Sequence, residues 1–192
     1  MKKNLNQKLI SLVEYYNLLN ANLFLTNKPI KRSLANEYAV SNNSKLQNLE
    51  KLKKNIQNIK NCELKKSAKN LVFSDGNPDA KIMIIGEGPG AQEDDIGKPF
   101  VGRAGKLLDK MLESIKLDRS KVYISNVVNY RPPLNRRPTD GEIERYLPYL
   151  IKHIEIINPK ILVLLGSTAL NAIIGNEEVI SKARGKWIQK KI

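Results

Sequence analysis

Residues 81–105 read KIMIIGEGPGAQEDDIGKPFVGRAG. Ile82 to Gly86 is a short apolar run ending in glycine, the pattern of a parallel strand buried on both faces. The residues after it concentrate glycine: Gly86, Gly88, Gly90, Gly97, Gly102 and Gly105 all lie in this stretch, out of 11 in the chain. Glycines directly after a strand mark places where backbone must come close to something. A dinucleotide fingerprint does not account for them, because Pro89 and Gly90 break the GxGxxG spacing and Glu93, Asp94 and Asp95 oppose a pyrophosphate. A P-loop fails as well, since no GKS or GKT closes the run. Two readings remain: a tight turn without a ligand, and a loop whose N–H groups around Gly88 to Gly90 face a polar or anionic ligand atom beside the Glu87 carboxylate.

Two further runs, KVYISNVVNY at 121–130 and KILVLLG at 160–166, have the same buried-strand character. Between them, Leu107, Leu108, Met111, Leu112 and Ile115 predict a helix over 104–115, and Ile143, Leu147, Leu150, Ile151 and Ile154 predict another over 140–157. Thr139 with Glu142 three residues later is a capping box for the second. A shorter helix follows at 167–174. Strands alternating with helices predict an α/β, doubly wound open sheet, whose ligands bind beyond the carboxyl ends of the strands. Glu87, Asn126 and Ser167 fall at that edge. His153 sits mid-helix among isoleucines, a structural position.

Upstream, Leu9, Leu12, Val13, Tyr16 and Leu19 predict an amphipathic helix over 5–20, residues 27–45 read as loop or linker, and a basic helix runs from Lys45 to about Lys60. The division expected is a basic helical extension and linker over 1–60 and a compact domain over 61–192. Of 33 basic and 19 acidic residues, 14 and 4 fall in 1–70, so most of the +14 net charge lies at the amino-terminal side. Such a surface suits phosphate-rich partners, although a Lys- and Asn-rich coding bias gives the same composition. The single cysteine, Cys62, excludes an intrachain disulfide. No segment has the run of about 18 apolar residues that a membrane span needs. A reduced, cytoplasmic protein without membrane contact is expected.

The stretches GEGPGAQEDDIGKPFVGRAGKLLDKML, VYISNVVNYRPPLNRRPT and NPKILVLLG, in this order and at these spacings, resemble the uracil-DNA glycosylase superfamily, most nearly its family 4 bacterial and archaeal branch. The resemblance runs from about Cys62 to Trp187 and leaves out residues 1–55. It implies a three-layer αβα sandwich with a parallel central sheet, and an enzyme of base excision repair that hydrolyses the bond between uracil and deoxyribose in DNA. On this chain the backbone of Gly88, Pro89 and Gly90 would face a flipped uracil, Phe100 would stack on its ring, Asn126 would read its edge, and Glu87 would assist catalysis. Taken alone, Phe100 reads better as a core aromatic and Asn126 as a strand-end side chain bonded to backbone. Arg131, Arg136 and Arg137, on a proline-stiffened loop, would meet DNA phosphates, or form a solvated charged loop.

The chain departs from the family pattern twice. Family 4 members carry a four-iron four-sulfur cluster on four cysteines; the matching positions here are Ile59, Cys62, Tyr130 and Tyr146, so no cluster and no metal are expected, with aromatic and aliphatic packing instead. The sequence also stops at RGKWIQKKI, before the family's histidine motif, which implies that the last strand and helix are missing. Three outcomes fit: a monomeric uracil-DNA glycosylase acting on uracil-containing or single-stranded DNA, an inactive nucleic-acid-binding remnant of that family, or a decayed product that folds poorly.

Overall fold

The computed structural model describes residues 34–175 and 179–190, with side chains from residue 44 onward; the helix expected at 5–20 lies outside them. The chain forms two compact units, residues 1–40 and 41–192. In the first, the described part is the opening of helix α1, Leu34–Gln57. Residues 34–45, read from sequence as loop, are therefore helical. Within the second unit Leu49, Leu52 and Ile56 of α1 are buried in the main core, which accounts for the helix: a sequence rich in Asn, Ser and Lys is held by one apolar stripe.

The elements that follow are α2 (Glu63–Ser67), β1 (Asp75–Gly76), β2 (Ile82–Gly86), α3 (Ala91–Ile96), α4 (Arg103–Ser114), β3 (Tyr123–Asn126), α5 (Asp140–Ile157), β4 (Ile161–Leu164), α6 (Ser167–Ile174) and α7 (Ile180–Ala183). The sheet order is β1-β3-β2-β4. β2 pairs in parallel with both β3 and β4, bringing Gly86 opposite Asn126 and Ile85 opposite Leu164. The two-residue β1 runs antiparallel to β3, an edge too short to show any period in the sequence. Around β1, Gly76 has a φ of +99° and lies so near the Val122 carbonyl that an added Cβ would sit 2.2 Å from its oxygen.

Alternate residues of β2 enter different cores. Met83 and Ile85 join Leu52 and Ile56 of α1, Tyr146, Leu150 and Ile154 of α5, and Ala169 and Ile173 of α6. Ile84, on the other face, packs with Leu108 and Leu112 of α4 and with Ile124 of β3. The sheet thus has helices on both sides, the three-layer αβα sandwich, and two-sided burial explains why β2 and β3 read as continuous apolar runs rather than alternating ones. Thr139 caps α5 as expected: its side chain accepts from the Glu142 N–H at 3.3 Å while Glu142 accepts from the Thr139 N–H at 2.8 Å. Such caps contribute about 1 kcal/mol. α5 ends on Asn158 in the left-handed region at φ 50°, followed by Pro159, a usual stop.

On the far side β4 pairs with β2 alone among the described residues, and Val163 is 36% exposed. An open groove of about 1220 Å³ runs beside it, lined by Leu162, Leu164, Ile173 and Trp187 among others. No helix among the described residues is long and apolar enough to cross a membrane.

His153 is sealed into the main core. Its ring stacks on Phe73 with centroids 4.5 Å apart, and its Nε2 lies 2.8 Å from the Tyr123 hydroxyl, which donates to Ser74 Oγ at 2.7 Å. Burial pushes its pKa down to about 3, so the folded chain holds it neutral. The unfolded chain takes up that proton near pH 6.5; the stability carried by the neutral ring is therefore complete above that pH and is lost as pH falls toward 3. Unfolding free energies from denaturant titration should drop by about 2 kcal/mol between pH 8 and pH 5 on account of His153. His153→Gln should flatten the profile by that amount, and an unchanged slope would show that the ring titrates normally.

Candidate functional site

β2 and β3 end side by side, and the site is built where their side chains stop. At Gly86, the last residue of β2, an added Cβ would lie 2.5 Å from Cζ of Phe100 and 2.6 Å from Oδ1 of Asn126. The aromatic ring and the amide therefore both rest against bare backbone, and no other residue at 86 leaves room for them. Asn126 is 3% exposed, and its Oδ1 has no hydrogen-bond partner among the described residues. A buried acceptor left this way costs about 1–3 kcal/mol and marks a place where a donor is expected. The reading of Asn126 as a strand-end side chain bonded to backbone does not describe this oxygen. Phe100 is only partly buried, packed against the cluster around Ile84 rather than forming its centre.

Glu87, one residue beyond the strand, stands half exposed. Thr168, buried at the start of α6, donates its hydroxyl to Glu87 Oε2. Arg137 donates from Nε to Thr168 Oγ1 at 3.0 Å and lies 3.9 Å from the same Glu87 oxygen. Three segments thus meet on one carboxylate: the end of β2, the loop after β3 and the first turn of α6. Ser167 was the residue expected there; its neighbour Thr168 makes the contact.

The glycine loop is tied down by acids that the sequence suggested were only repulsive to anions. Glu93 turns inward, accepting the Gly90 N–H on Oε2 at 3.1 Å and the Val101 and Gly102 N–H groups on Oε1 at 2.9 and 2.7 Å. One carboxylate joins the glycine loop to the loop carrying Phe100. Asp94, 1% exposed, accepts the Lys69 and Asn70 N–H groups, each at 3.0 Å. Asp95 pairs at the surface with Lys69 at 2.6 Å, and their hydrogen bond lowers the carboxyl pKa and raises that of the amine. Gly88 lies close under Val128, where a Cβ would meet Cγ2 at 2.8 Å. Of the residues 88–90, Pro89 has no N–H to give and that of Gly90 goes to Glu93.

The three arginines after β3 are each engaged within the chain. Arg131 donates to Asn135 Oδ1 at 2.7 Å and lies 4.0 Å from Asp94. Arg136 forks onto both oxygens of Glu142, each at 2.7 Å, and that contact holds the Glu142 carboxyl down at about 2. Arg137 belongs to the Glu87 group. All three belong to one loop, with Arg136 and Arg137 exposed.

The four positions matched to cluster ligands do come together, in the main core. Cys62, Tyr130 and Tyr146 are buried there with Ile59 packed alongside, and Cys62 Sγ is 3.4 Å from the Tyr146 hydroxyl. Burial pushes both phenols up, with the Cys62 contact adding to the shift of Tyr146, so they stay neutral. One thiol, two neutral phenols and an isoleucine are the wrong donors for a four-iron cluster, which needs four thiolates. The space is filled by side chains in van der Waals contact, and no group of three or more His, Cys, Asp or Glu among the described residues could hold a metal.

Residues 73–192 match the profile of the uracil DNA glycosylase superfamily. Over 146 residues the chain is 45% identical to a type-4 uracil-DNA glycosylase of Sulfurisphaera tokodaii, covering 73% of this chain and 66% of that one. It is 47% identical over 128 residues to its counterpart in Thermotoga maritima, covering 66% and 67%, and 43% identical over 148 residues to that of Pyrobaculum aerophilum, covering 75% and 76%. The chain thus spans about two thirds of the length of the first two. With a family match over most of the sequence and the αβα sandwich beneath it, the chain belongs to the uracil-DNA glycosylase superfamily.

Proposed function

We propose that this protein captures uracil flipped out of DNA and hydrolyses the bond between the base and its deoxyribose. The observation that carries the reading is the buried, unpartnered Oδ1 of Asn126 beside the Phe100 ring over Gly86. A planar base sliding between them would stack on Phe100 and turn an N–H toward Oδ1. Uracil offers that donor at N3, flanked by a carbonyl oxygen for the Asn126 amide nitrogen. Cytosine has an acceptor at N3 and would leave Oδ1 facing a lone pair. A base inside a duplex cannot reach this position, so the nucleotide must first swing out of the stack.

The chemistry follows from where charge appears. As the bond from C1′ to N1 breaks, its electron pair moves onto uracil, with charge gathering on O2, while the sugar becomes cationic. The Glu87 carboxylate, fixed by Thr168 and Arg137, stabilises the sugar and accepts a proton from the water that bonds to C1′. The Gly88 N–H supports O2. His153, the chain's one histidine, is bonded to Tyr123 in the core and takes no part. The net charge of +14 and the Arg131 to Arg137 loop supply contacts for the phosphates of uracil-containing or single-stranded DNA, bound by a monomer. The Cys62, Tyr130 and Tyr146 core stands where the cluster would be, and the reaction as drawn uses no iron.

Single-turnover incubation with a labelled uracil-containing oligonucleotide, followed by alkaline cleavage at abasic sites, tests the reaction. Glu87→Gln should slow it by about a hundredfold or more, the usual cost of losing one electrostatic stabiliser. Asn126→Ala should erase the preference for uracil while leaving affinity for uracil-free DNA unchanged. Binding that keeps the uracil preference without any cleavage would make the protein a binder. Gly86→Ala drives a methyl into the Phe100 ring and should abolish uracil capture at a stability cost of about 1–3 kcal/mol; full activity in that variant would rule out this pocket.

Purified aerobically or anaerobically, the protein should be colourless, with iron far below one atom per chain and a melting temperature indifferent to chelators. Stoichiometric iron with a broad visible band would contradict the packing of Cys62 against Tyr146.

A further inference from the structure

Arg119 lies in the turn just before β3, outside the stretches that carry the family resemblance, and its guanidinium is where four segments meet. Nε and Nη2 donate to the two oxygens of Asp109 on α4 at 2.7 and 3.4 Å, and Nη1 donates to Asp75 on β1 at 2.9 Å. The remaining directions go to one loop: Nη1 donates to the Pro99 carbonyl at 3.1 Å and Nη2 to the Phe100 carbonyl. Phe100 has a φ of 55°, a conformation that residues other than glycine seldom adopt. Its carbonyl is pressed so close to Gly105 that a Cβ there would lie 1.7 Å from the oxygen. From the other side Glu93 takes the N–H groups of Val101 and Gly102. The backbone around Phe100 is thus held by a guanidinium on its carbonyls and a carboxylate on its N–H groups. A lysine could not replace the first, because a point charge lacks the planar fork that reaches two carboxylates and two carbonyls at once.

We propose that Arg119 is a positioning residue for base capture: anchored by Asp75 and Asp109, it fixes the Phe100 loop in its left-handed turn and so sets the ring over Gly86 and beside Asn126 before a base arrives. The proposal rests on the reading of Phe100 as the stacking face. A ring free to swing away would pay the ordering cost at each binding event, and affinity for the flipped base would fall while contacts to phosphates stayed as they were.

The test uses the full chain and Arg119→Met, Arg119→Lys, Phe100→Ala and the double variant Arg119→Met with Phe100→Ala. Rate is measured against enzyme concentration on uracil-containing oligonucleotide, and affinity is measured on the uracil-free strand. Both single Arg119 variants should raise the half-saturating concentration on the order of tenfold, the scale of one lost base–aromatic stack, with uracil-free affinity unchanged. The double variant should be no worse than Phe100→Ala, since Arg119 acts through that ring. Additive losses, or full rescue by Arg119→Lys, would overturn the proposal. Amide exchange at Val101 and Gly102 reads the clamp without any catalysis: it should quicken in Arg119→Met, and unchanged exchange also overturns it. Quickened exchange in a protein whose wild type shows no uracil preference would instead overturn the base-site reading, and with it the role of Arg119 in capture. Asp109→Asn, which loosens the anchor while keeping the guanidinium, covers the case in which Arg119→Met does not fold; exchange at Val101 and Gly102 as slow as in wild type would then count against the proposal.

Discussion

The site depends on β2 running out of side chain at its last residue. Gly86 is paired in register with Asn126 and covered by Phe100, and the space that a Cβ would occupy is already taken by both. Everything else supports that constraint. The sheet must be parallel here, so that two strand ends open at the same edge. The loop after β2 must turn sharply and return to lay Phe100 over it, and the N–H groups freed by that turn need partners. Glu93 provides them from inside, where a water-filled loop would leave the ring mobile.

Much of this arrangement was legible in the sequence. The strands at Ile82–Gly86 and Ile161–Leu164 and the helix over Asp140–Ile157 follow from apolar runs, period and a capping box, signals that arise from local chemistry. Asn126 and Phe100 were singled out only through the family resemblance, and the structure brings the two together over Gly86. Less visible were features that depend on direction. That Glu93 points inward and Asp95 outward is set by the pitch of α3, a six-residue helix hidden inside what reads as a loop. Its one local signal was the three-residue spacing from Gly90 to Glu93, the capping geometry without a side chain at the cap. Arg119 and Thr168 gave no signal, because they act across the fold: Asp75 lies 44 residues from the first and Glu87 81 from the second. The helical state of residues 34–45 was missed for another reason: local propensity there is poor, and the apolar contacts that hold α1 lie further along at Leu49, Leu52 and Ile56.

Around Cys62, the positions that the family resemblance matches to cluster ligands are joined by packing. A cluster holds distant segments together through strong bonds in few places. Here the same segments, the connector after α1, the loop after β3 and α5, meet through many weak contacts around two buried aromatic rings. The Cys62 and Tyr146 contact gives the phenol a partner, which it needs once out of water. Ile59 adds apolar area without any polar demand. Joining the segments this way ties the fold to side-chain volume: such a core is sensitive to the loss of a single ring, whereas a ligated cluster is sensitive to the loss of a single thiolate.

On the proposed function, charge is arranged so that the structural pairs and those offered to DNA compete as little as possible. The acids of the glycine run are turned toward backbone N–H groups, where Asp94 and Glu93 meet donors rather than an incoming phosphate. At the rim, the exposed Arg136 is held by Glu142, whose side chain is mostly covered. The fork is bidentate and Glu142 is mostly covered, so on the proposed function a phosphate would meet Arg136 through the N–H groups that Glu142 leaves free. Arg137 is different, because its Nε sits on Thr168 beside Glu87, and moving it to a phosphate would loosen the carboxylate of the proposed reacting centre. On that reading Arg136 is the neighbour freer to meet phosphate, while Arg137 also braces Glu87.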